Sequence, residues 1–456
     1  MTVFISILVM LLILSVLTII HEWGHFIAAR IFKVKVTEFS IFMGPKIFSR
    51  VSKKTGMIFS IRCLPIGGFC AFEDDNGNAD SPDSLNSQKW YKRAIIFSAG
   101  VIMNVVLALV LAVVICVFTG YSTTEITEVH PDSTAAFVGI EAGDRLYSIN
   151  GMRTSTLTDE SLASYAIQDT NPADDIMDSH YTLVYKKPDG QKVHYDVTKH
   201  AEYETSANEN GDTVYKLLNY TYTIKKTYGD YLGTYVYRNN IKSYDDKTAV
   251  CDIKMTAAGV EMSSEEKEVD LSVVGVLGNS NYFYGKTYNP FKLVYYGFNE
   301  MVSMVKSVYV SLYWIVTGRV GLNAVSGPIG LTTVVEDVVS TDAASVLLKV
   351  LTLVNLAALI SVNLGVINFL PFPGLDGCHL LFIVIELIRG GKKIPPEKQG
   401  LISMIGLAVL IVLAVVIMGA DIMRIINGER LIYFDVGKLR QNRTKQVLRL
   451  CSAAFL

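Results

Sequence analysis

Four long apolar runs divide a chain that is otherwise mixed. They cover about residues 3–31, 94–119, 346–370 with an apolar continuation to 388, and 399–420. As a helix, each is long enough to cross a hydrocarbon layer of about 30 Å. The pattern predicts a polytopic α-helical membrane protein with about four transmembrane helices. Between the second and third runs the pattern changes to strand-like alternation and turns, so a β-rich aqueous region of α+β character is inserted there. Residues 289–317 have helical periodicity, but Glu300 and Lys306 interrupt the apolar face. They read as an amphipathic helix at the outer membrane interface.

Charge orients these elements. Lys33, Lys35, Lys46, Arg50, Lys53, Lys54, Arg62, Lys89, Lys92 and Arg93 crowd the loop after the first run, and ELIRGGKKIPPEK joins the last two. The positive-inside rule places both loops in the cytoplasm. The inserted region, where residues 121–288 carry 26 acidic against 15 basic residues, then lies outside, and the first and third runs cross in the same direction. The expected domains are 1–32, the first transmembrane helix; 33–93, a cytoplasmic membrane-associated loop; 94–119, the second helix; 120–285, the extracytoplasmic insertion; 286–342, the amphipathic helix and a turn at Ser326-Gly-Pro-Ile-Gly330; 343–390, the third transmembrane segment; 391–425, a cytoplasmic loop and the fourth helix; and 426–456, a basic tail. Four crossings put that tail outside, against the charge rule.

Composition narrows the class. Half of the residues are hydrophobic, too many for an ordinary soluble protein and too few for a chain wholly in lipid. Neither charged segment suits nucleic acid. The six cysteines have no C-x-x-C spacing and form no disulfide framework. Residues 1–20 lack the basic start and small-residue cleavage site of a signal peptide, and the apolar run is too long for one.

Into the first apolar run are set His21, Glu22 and His25, the pattern H-E-x-x-H. Residues four apart share a helix face, so both imidazoles can reach one metal ion, while Glu22, turned by roughly 100°, can act as general base. The pattern alone occurs by chance in many chains. Three ionisable groups at bilayer depth, however, are costly and mark function. A second polar cluster, SVNLGVINFLPFPGLDG at 361–377, carries Asn363, Asn368, Pro371, Pro373 and Asp376. The prolines free backbone carbonyls, and Asp376 can complete a two-histidine, one-carboxylate zinc site with an open fourth position. Standing alone, this segment would read as a proline-kinked helix end.

Two shorter stretches add detail. MIFSIRCLPIGGFCAF at 57–72 reads as short strands with a turn at Pro65-Ile66-Gly67-Gly68, either a structural hairpin or an edge for pairing with an extended peptide. ITEVHPDSTAAFVGIEAGDRLYSINGMRT, beginning at Ile126, resembles a bacterial PDZ domain in its Gly143-Asp144 turn and Asn150-Gly151 ending, and a hairpin is expected around Pro188-Asp189-Gly190. The insertion reads as one PDZ-like module with added strands, a second module being the alternative.

Taken together, His21-Glu22-Trp23-Gly24-His25 and Asn368-Phe-Leu-Pro-Phe-Pro-Gly-Leu-Asp-Gly377 resemble the two motifs of the site-2 protease family of intramembrane zinc metalloproteases, in particular its bacterial RseP-type branch with a PDZ domain. The resemblance spans about residues 1–425. It implies Zn2+ held by His21, His25 and Asp376, with Glu22 as catalytic base. It also implies that Asn363, Asn368, Pro371, Pro373, Gly67 and Gly68 hold an unwound substrate. The implied substrates are single-pass membrane proteins, such as anti-sigma factors, or remnant signal peptides, cut near the cytoplasmic face of the bacterial inner membrane in regulated intramembrane proteolysis. Membrane lipid and a peptide ligand of the PDZ-like region are the further partners. Val101 replaces the family's proline in Ala99-Gly100-x-x-x-Asn104, and Cys378-His379 follow Asp376 where Gly-His is usual, which adds two alternative ligands. Cleavage of soluble peptides at the membrane face, and a scaffold without activity, remain alternative functions.

Overall fold

An apolar helix free of proline satisfies its own backbone in lipid, and the first run does this over its whole length. The computed structural model describes residues 2–73, 81–131, 133–156, 158–159, 178–207, 213–227, 233–244, 248–270, 280–318, 327–341 and 345–426. Helix α1 (Thr2–Ile31) leads into a small sheet of β1 (Val36–Val51) and β2 (Ile58–Phe72), and α2 (Trp90–Thr119) returns across the bundle. The inserted region begins with β3 (Tyr121–Val129), α3 (Thr134–Phe137), β4 (Arg145–Ile149) and β5 (Met152–Arg153). It continues through β6 (Asp178–Lys186), β7 (Lys192–Ala207), β8 (Thr213–Lys226), β9 (Gly233–Tyr244), β10 (Thr248–Ala257), β11 (Val260–Asp270) and β12 (Ser280–Gly285). Five helices complete the described chain: α4 (Pro290–Val316), α5 (Pro328–Ser340), α6 (Val346–Phe369), α7 (Asp376–Ile388) and α8 (Pro396–Ile426). Of these elements α1, α2, α6 and α8 are long and apolar enough to cross a membrane, matching the four expected spans. The basic tail from residue 427 lies outside the described residues.

The inserted strands form a sheet in the order β11-β10-β9-β8-β7-β6-β4-β3-β12, with β5 attached to β4. Strands β6 to β11 are a meander in which each pairs antiparallel with the next. The expected hairpin around Asp189 is the β6–β7 connection. Alternate residues face one core: Tyr181, Leu183 and Tyr185; Val193, Tyr195 and Val197; Tyr220, Tyr222 and Ile224; Tyr235 and Tyr237. This period of two follows from the pleat of a strand. At the far edge β12 pairs back onto β3, Gly285 opposite Tyr121.

Two expectations change in form. Of residues 57–72, read as short strands with a turn, all but Met57 form one continuous β2. Its register shifts so that residues 58–61 and 68–72 both pair with the same stretch of β1 around Glu38 to Ile41. Of the tight turn expected at 326–330, Ser326 lies outside the described residues, Gly327 caps the 13-residue helix α5, and Pro328 to Gly330 form its first turn. Gly-Pro punctuates turns and helix starts alike, because proline's fixed φ and missing N–H suit the first helical position.

Packing then places these elements around α1 and α2. Leu331, Val334 and Val335 of α5 join Met10 and Leu17 of α1 and Leu356 and Ile360 of α6. One face of α4 buries Met301, Met304 and Val308 against Ala108 of α2 and Val362 and Val366 of α6. Its other face binds the inserted region. Thr156 Oγ1 and Ser303 Oγ are 3.0 Å apart, and Lys306 Nζ lies 3.1 Å from both oxygens of the buried Asp159 carboxylate. The amphipathic helix is thus wedged between sheet and bundle. At the other end of α2, buried Arg93 pairs with buried Glu386 of α7.

Removing one partner of that pair leaves an uncompensated buried charge, so Arg93→Met is expected to cost about 3–5 kcal/mol. Arg93→Met with Glu386→Met should be less destabilised than either single variant. Thermal unfolding of the four proteins in detergent checks this, and a double variant as unstable as the sum of the singles would refute it.

Candidate metal centre

The centre assembles from two broken symmetries, a polar turn within α1 and a helix break between α6 and α7. His21 and His25 lie one turn apart on the buried side of α1, at 4% and 6% exposure. α6 stops at Phe369, ahead of Pro371 and Pro373, and α7 restarts with Asp376 in its first turn. The break is tightly held. A Cβ at Gly377 would collide with the carbonyls of Phe369 and Leu370, and one at Gly406 of α8 with that of Pro373. Gly374, at φ +96°, takes the left-handed conformation that L side chains resist.

These constraints bring together residues 355 positions apart. His21 Nε2 lies 3.0 Å from Asp376 Oδ2, His25 Nε2 lies 3.2 Å from the same oxygen, and the two Nε2 atoms are 3.2 Å apart. The group could hold a metal ion. Zinc bound at about 2.0–2.1 Å in tetrahedral geometry holds neighbouring donors roughly 3.3–3.4 Å apart, so this triangle needs to open only slightly. Space at the imidazoles is reserved by Gly100 of α2, where a Cβ would fall inside contact distance of His25 Nε2 and 2.7 Å from His21 Cε1. Nitrogen and carboxylate donors of this kind, with Asp376 still 21% accessible through its side chain, fit a site open on one side. His25 Nδ1 donates to the Ile96 carbonyl at 2.8 Å, which leaves its Nε2 lone pair for a metal.

The other expected residues divide by position. Glu22 Oε2 accepts a hydrogen bond of 3.1 Å from the backbone N–H of Cys70, so strand β2 lies directly beside it. Gly68 is close by, a Cβ there being 3.9 Å from Glu22 Cγ, and one at Gly67 would be 3.9 Å from Thr18 Cγ2. Asn368 points its Nδ2 at His21 Nε2 across 3.3 Å. Asn363 is buried with its Oδ1 lacking a hydrogen-bond partner among the described residues. The alternative ligands stay away. His379 stacks on Phe97 with ring centroids 4.5 Å apart, and neither it nor buried Cys378 joins the donor group.

Asn104, quoted above only as part of a motif, is fully buried with its side-chain amide 3.1 Å from His21 Nδ1. A polar residue in the middle of the second apolar run was the available signal. The Cys70 amide had none, because backbone contacts leave no trace in residue type. Around β1 and β2, Glu38 accepts from Ser60 Oγ at 2.6 Å, Arg62 Nη2 at 2.9 Å and Lys46 Nζ at 3.0 Å. Partial burial raises its pKa, but these donors outweigh burial and hold the carboxyl below its usual value of 4.5.

Comparison with known proteins gives one family. The profile of peptidase family M50 matches residues 9–413. A Clostridium acetobutylicum protein carrying a provisional zinc metalloprotease name is 29% identical over 93% of this chain and 99% of its own length. Zinc metalloprotease RasP of Shouchella clausii is 26% identical over 92% of this chain and 100% of its own. Regulator of sigma-W protease RasP of Bacillus subtilis is 26% identical over 92% and 99%.

Two outcomes follow from this geometry. Gly100→Ala should lower apparent zinc affinity by at least about tenfold through displaced imidazoles, whereas Gly400→Ala, where a Cβ meets nothing within 4 Å, should not. Equal affinity in both variants, measured by chelator competition, would contradict the reserved space. The folded β1–β2 sheet binds the Glu38 proton less readily than the open chain, so this stabilisation is complete above pH 4.5 and is lost as pH falls below it. Amide protection factors in residues 36–72 should drop over that range, and the drop should be smaller in Glu38→Gln.

Proposed function

The chain belongs to peptidase family M50, and from that premise we propose that His21, His25 and Asp376 hold the zinc ion and that Glu22 is the catalytic base. The protein is an intramembrane zinc metalloprotease of the site-2 type, as its relatives' names and its four membrane-spanning helices support. One observation carries the residue assignment: two helical imidazoles and a carboxylate from the far end of the sequence share a space of about one ion's size, with a second carboxylate alongside.

When bound, zinc supplies Lewis acidity toward the scissile carbonyl and makes the attacking water more acidic. Glu22 accepts the proton of that water and delivers it to the departing amine, giving two shorter pieces with a new carboxylate and a new amine. The Cys70 N–H holds the Glu22 carboxylate in place without neutralising it. Substrate must arrive unwound, since a helix keeps its carbonyls hydrogen-bonded. Gly68 beside Glu22, Gly67 beside Thr18 one turn earlier on α1, Asn368 beside His21, Asn363 with a carbonyl oxygen that has no partner among the described residues, and the break at Pro371 and Pro373 support a path for an extended backbone between β2 and the α6–α7 break. Asn side chains offer such a backbone both a donor and an acceptor.

The substrate class follows from the depth of the site. Single-pass membrane proteins such as anti-sigma factors, or remnant signal peptides, are the proposed substrates. The Bacillus subtilis relative is named a regulator of sigma-W. The proposed setting is the bacterial inner membrane, with the basic loops and the site toward the cytoplasm. Residues 120–285 are proposed as an extracytoplasmic PDZ-like module with a meander insertion, acting as a filter against untrimmed substrates. The strand, short helix and strand of β3, α3 and β4, closed by Asn150 at φ +47° and Gly151 at φ +79°, support that reading.

Purified protein and Glu22→Gln, assayed against a panel of single-pass substrates with zinc content measured on both, test the proposal. Glu22→Gln should keep one zinc per chain and lose about 10²–10⁴-fold in cleavage rate. Undiminished cleavage would remove Glu22 from the mechanism, and a wild-type protein without zinc would remove the metal site.

A further inference from the structure

Each imidazole of the centre needs an acceptor on its far side. A histidine that binds metal through Nε2 carries its proton on Nδ1, and the partner of that proton fixes both tautomer and ring direction. For His25 the partner is the Ile96 carbonyl. For His21 the group facing Nδ1 is the side-chain amide of Asn104, two turns further along the same helix α2.

With its nitrogen toward the ring, that amide would donate to Nδ1. The ring proton would then sit on Nε2, aimed at Asp376 Oδ2 and His25 Nε2, and Asn104 Oδ1 would stay buried without a partner. A half-turn of the amide exchanges its two ends. Oδ1 then accepts the Nδ1 proton, Nδ2 takes the place the oxygen held, and the Nε2 lone pair of His21 is left for the point it shares with His25 and Asp376. Resting on the zinc-site reading above, we propose that Asn104 is the acceptor that holds His21 in its Nδ1–H tautomer, a positioning residue of the metal centre.

The surroundings suit this role. Asn104 is 0% exposed, its backbone carbonyl accepts from Ser361 Oγ at 2.8 Å, and a Cβ at Gly365 would lie 3.4 Å from its own Cβ. The residue is thereby anchored to α6 as well as to its own helix. A neutral amide accepts the proton without placing a fully buried carboxylate behind the partly buried Glu22 and Asp376, an addition costly inside a membrane-spanning segment. Helix α2 thus orients both imidazoles, one through a main-chain carbonyl and one through a side chain.

The test compares zinc affinity, by chelator competition, and the visible spectrum of the cobalt-substituted protein for wild type, Asn104→Leu and Asn104→Asp. Leucine matches the volume without an acceptor, and aspartate keeps the acceptor. Asn104→Leu should bind zinc about 10–100-fold more weakly with an altered cobalt spectrum, while Asn104→Asp stays within a few-fold of wild type with its spectrum preserved. Thermal midpoints of the metal-free proteins identify a folding failure, in which case Asn104→Ala, equally without an acceptor, is read in place of the leucine variant. Wild-type affinity in the variants without an acceptor, or equal loss in Asn104→Asp, would overturn the proposal. A wild type that binds no zinc would instead overturn the metal-site reading beneath it and this inference with it.

Discussion

The close crossing of α1 and α2 is the constraint on which the rest depends. At Gly24 a side chain would strike the backbone of Ala99, and at Gly100 it would strike the imidazoles themselves. In lipid, helices gain little from hiding apolar surface and associate through close packing and polar contacts. Here two glycines permit the approach, and the polar contacts of His25 with Ile96 and His21 with Asn104 use it. Widening this crossing by one methyl group would undo the orientation of both rings. The place of Asp376 depends on it in turn, because its carboxylate reaches the two imidazoles at a point that α1 and α2 have already defined.

The break between α6 and α7 solves the complementary problem. An interrupted helix exposes carbonyls that lipid cannot satisfy, and such backbone is tolerated only where protein covers it or where it lines a wet cavity. Gly377 lets α7 start hard against the end of α6, and Gly406 lets α8 lie directly on Pro373. α8 has a second attachment at its other end, where Asp421 Oδ2 accepts from the N–H groups of Gly327 and Gly330 at 2.9 and 2.8 Å. A carboxylate there complements the positive end of α5. The fourth span thus covers the break at one end and caps a helix at the other.

Much of this was legible in the chain. The spans were visible because hydrophobic length is a strong signal. The cluster of His21, His25 and Asp376 was visible because ionisable residues in such runs have few reasons to be there. The hairpin around Asp189 was visible through alternation and turn residues. What the sequence hid has physical causes. α5 was concealed by Gly327-Pro328, which marks a turn and a helix start equally well. The two-register pairing of β2 depends on bulges that residue type does not encode. The supports of the site were hidden for a different reason. The Ile96 carbonyl and Cys70 amide are backbone groups, and Asn104 differs from any buried asparagine only by what it faces.

The pairing of β12 with β3 has one further consequence. The chain leaves the bundle at Tyr121 and returns at Gly285, opposite that same residue, and the ring of Tyr121 stacks on Tyr296 of α4 with centroids 3.6 Å apart. Departure and return are therefore stapled at one spot, and the contacts of Thr156 and Asp159 with α4 hold the inserted region to the same helix. Hairpins can be added to or lost from the middle of the meander without changing the distance between the ends of α2 and α4. The catalytic bundle is thereby insulated from the size of what it carries, leaving evolution free to vary the insertion while the hydrolytic machinery stays fixed.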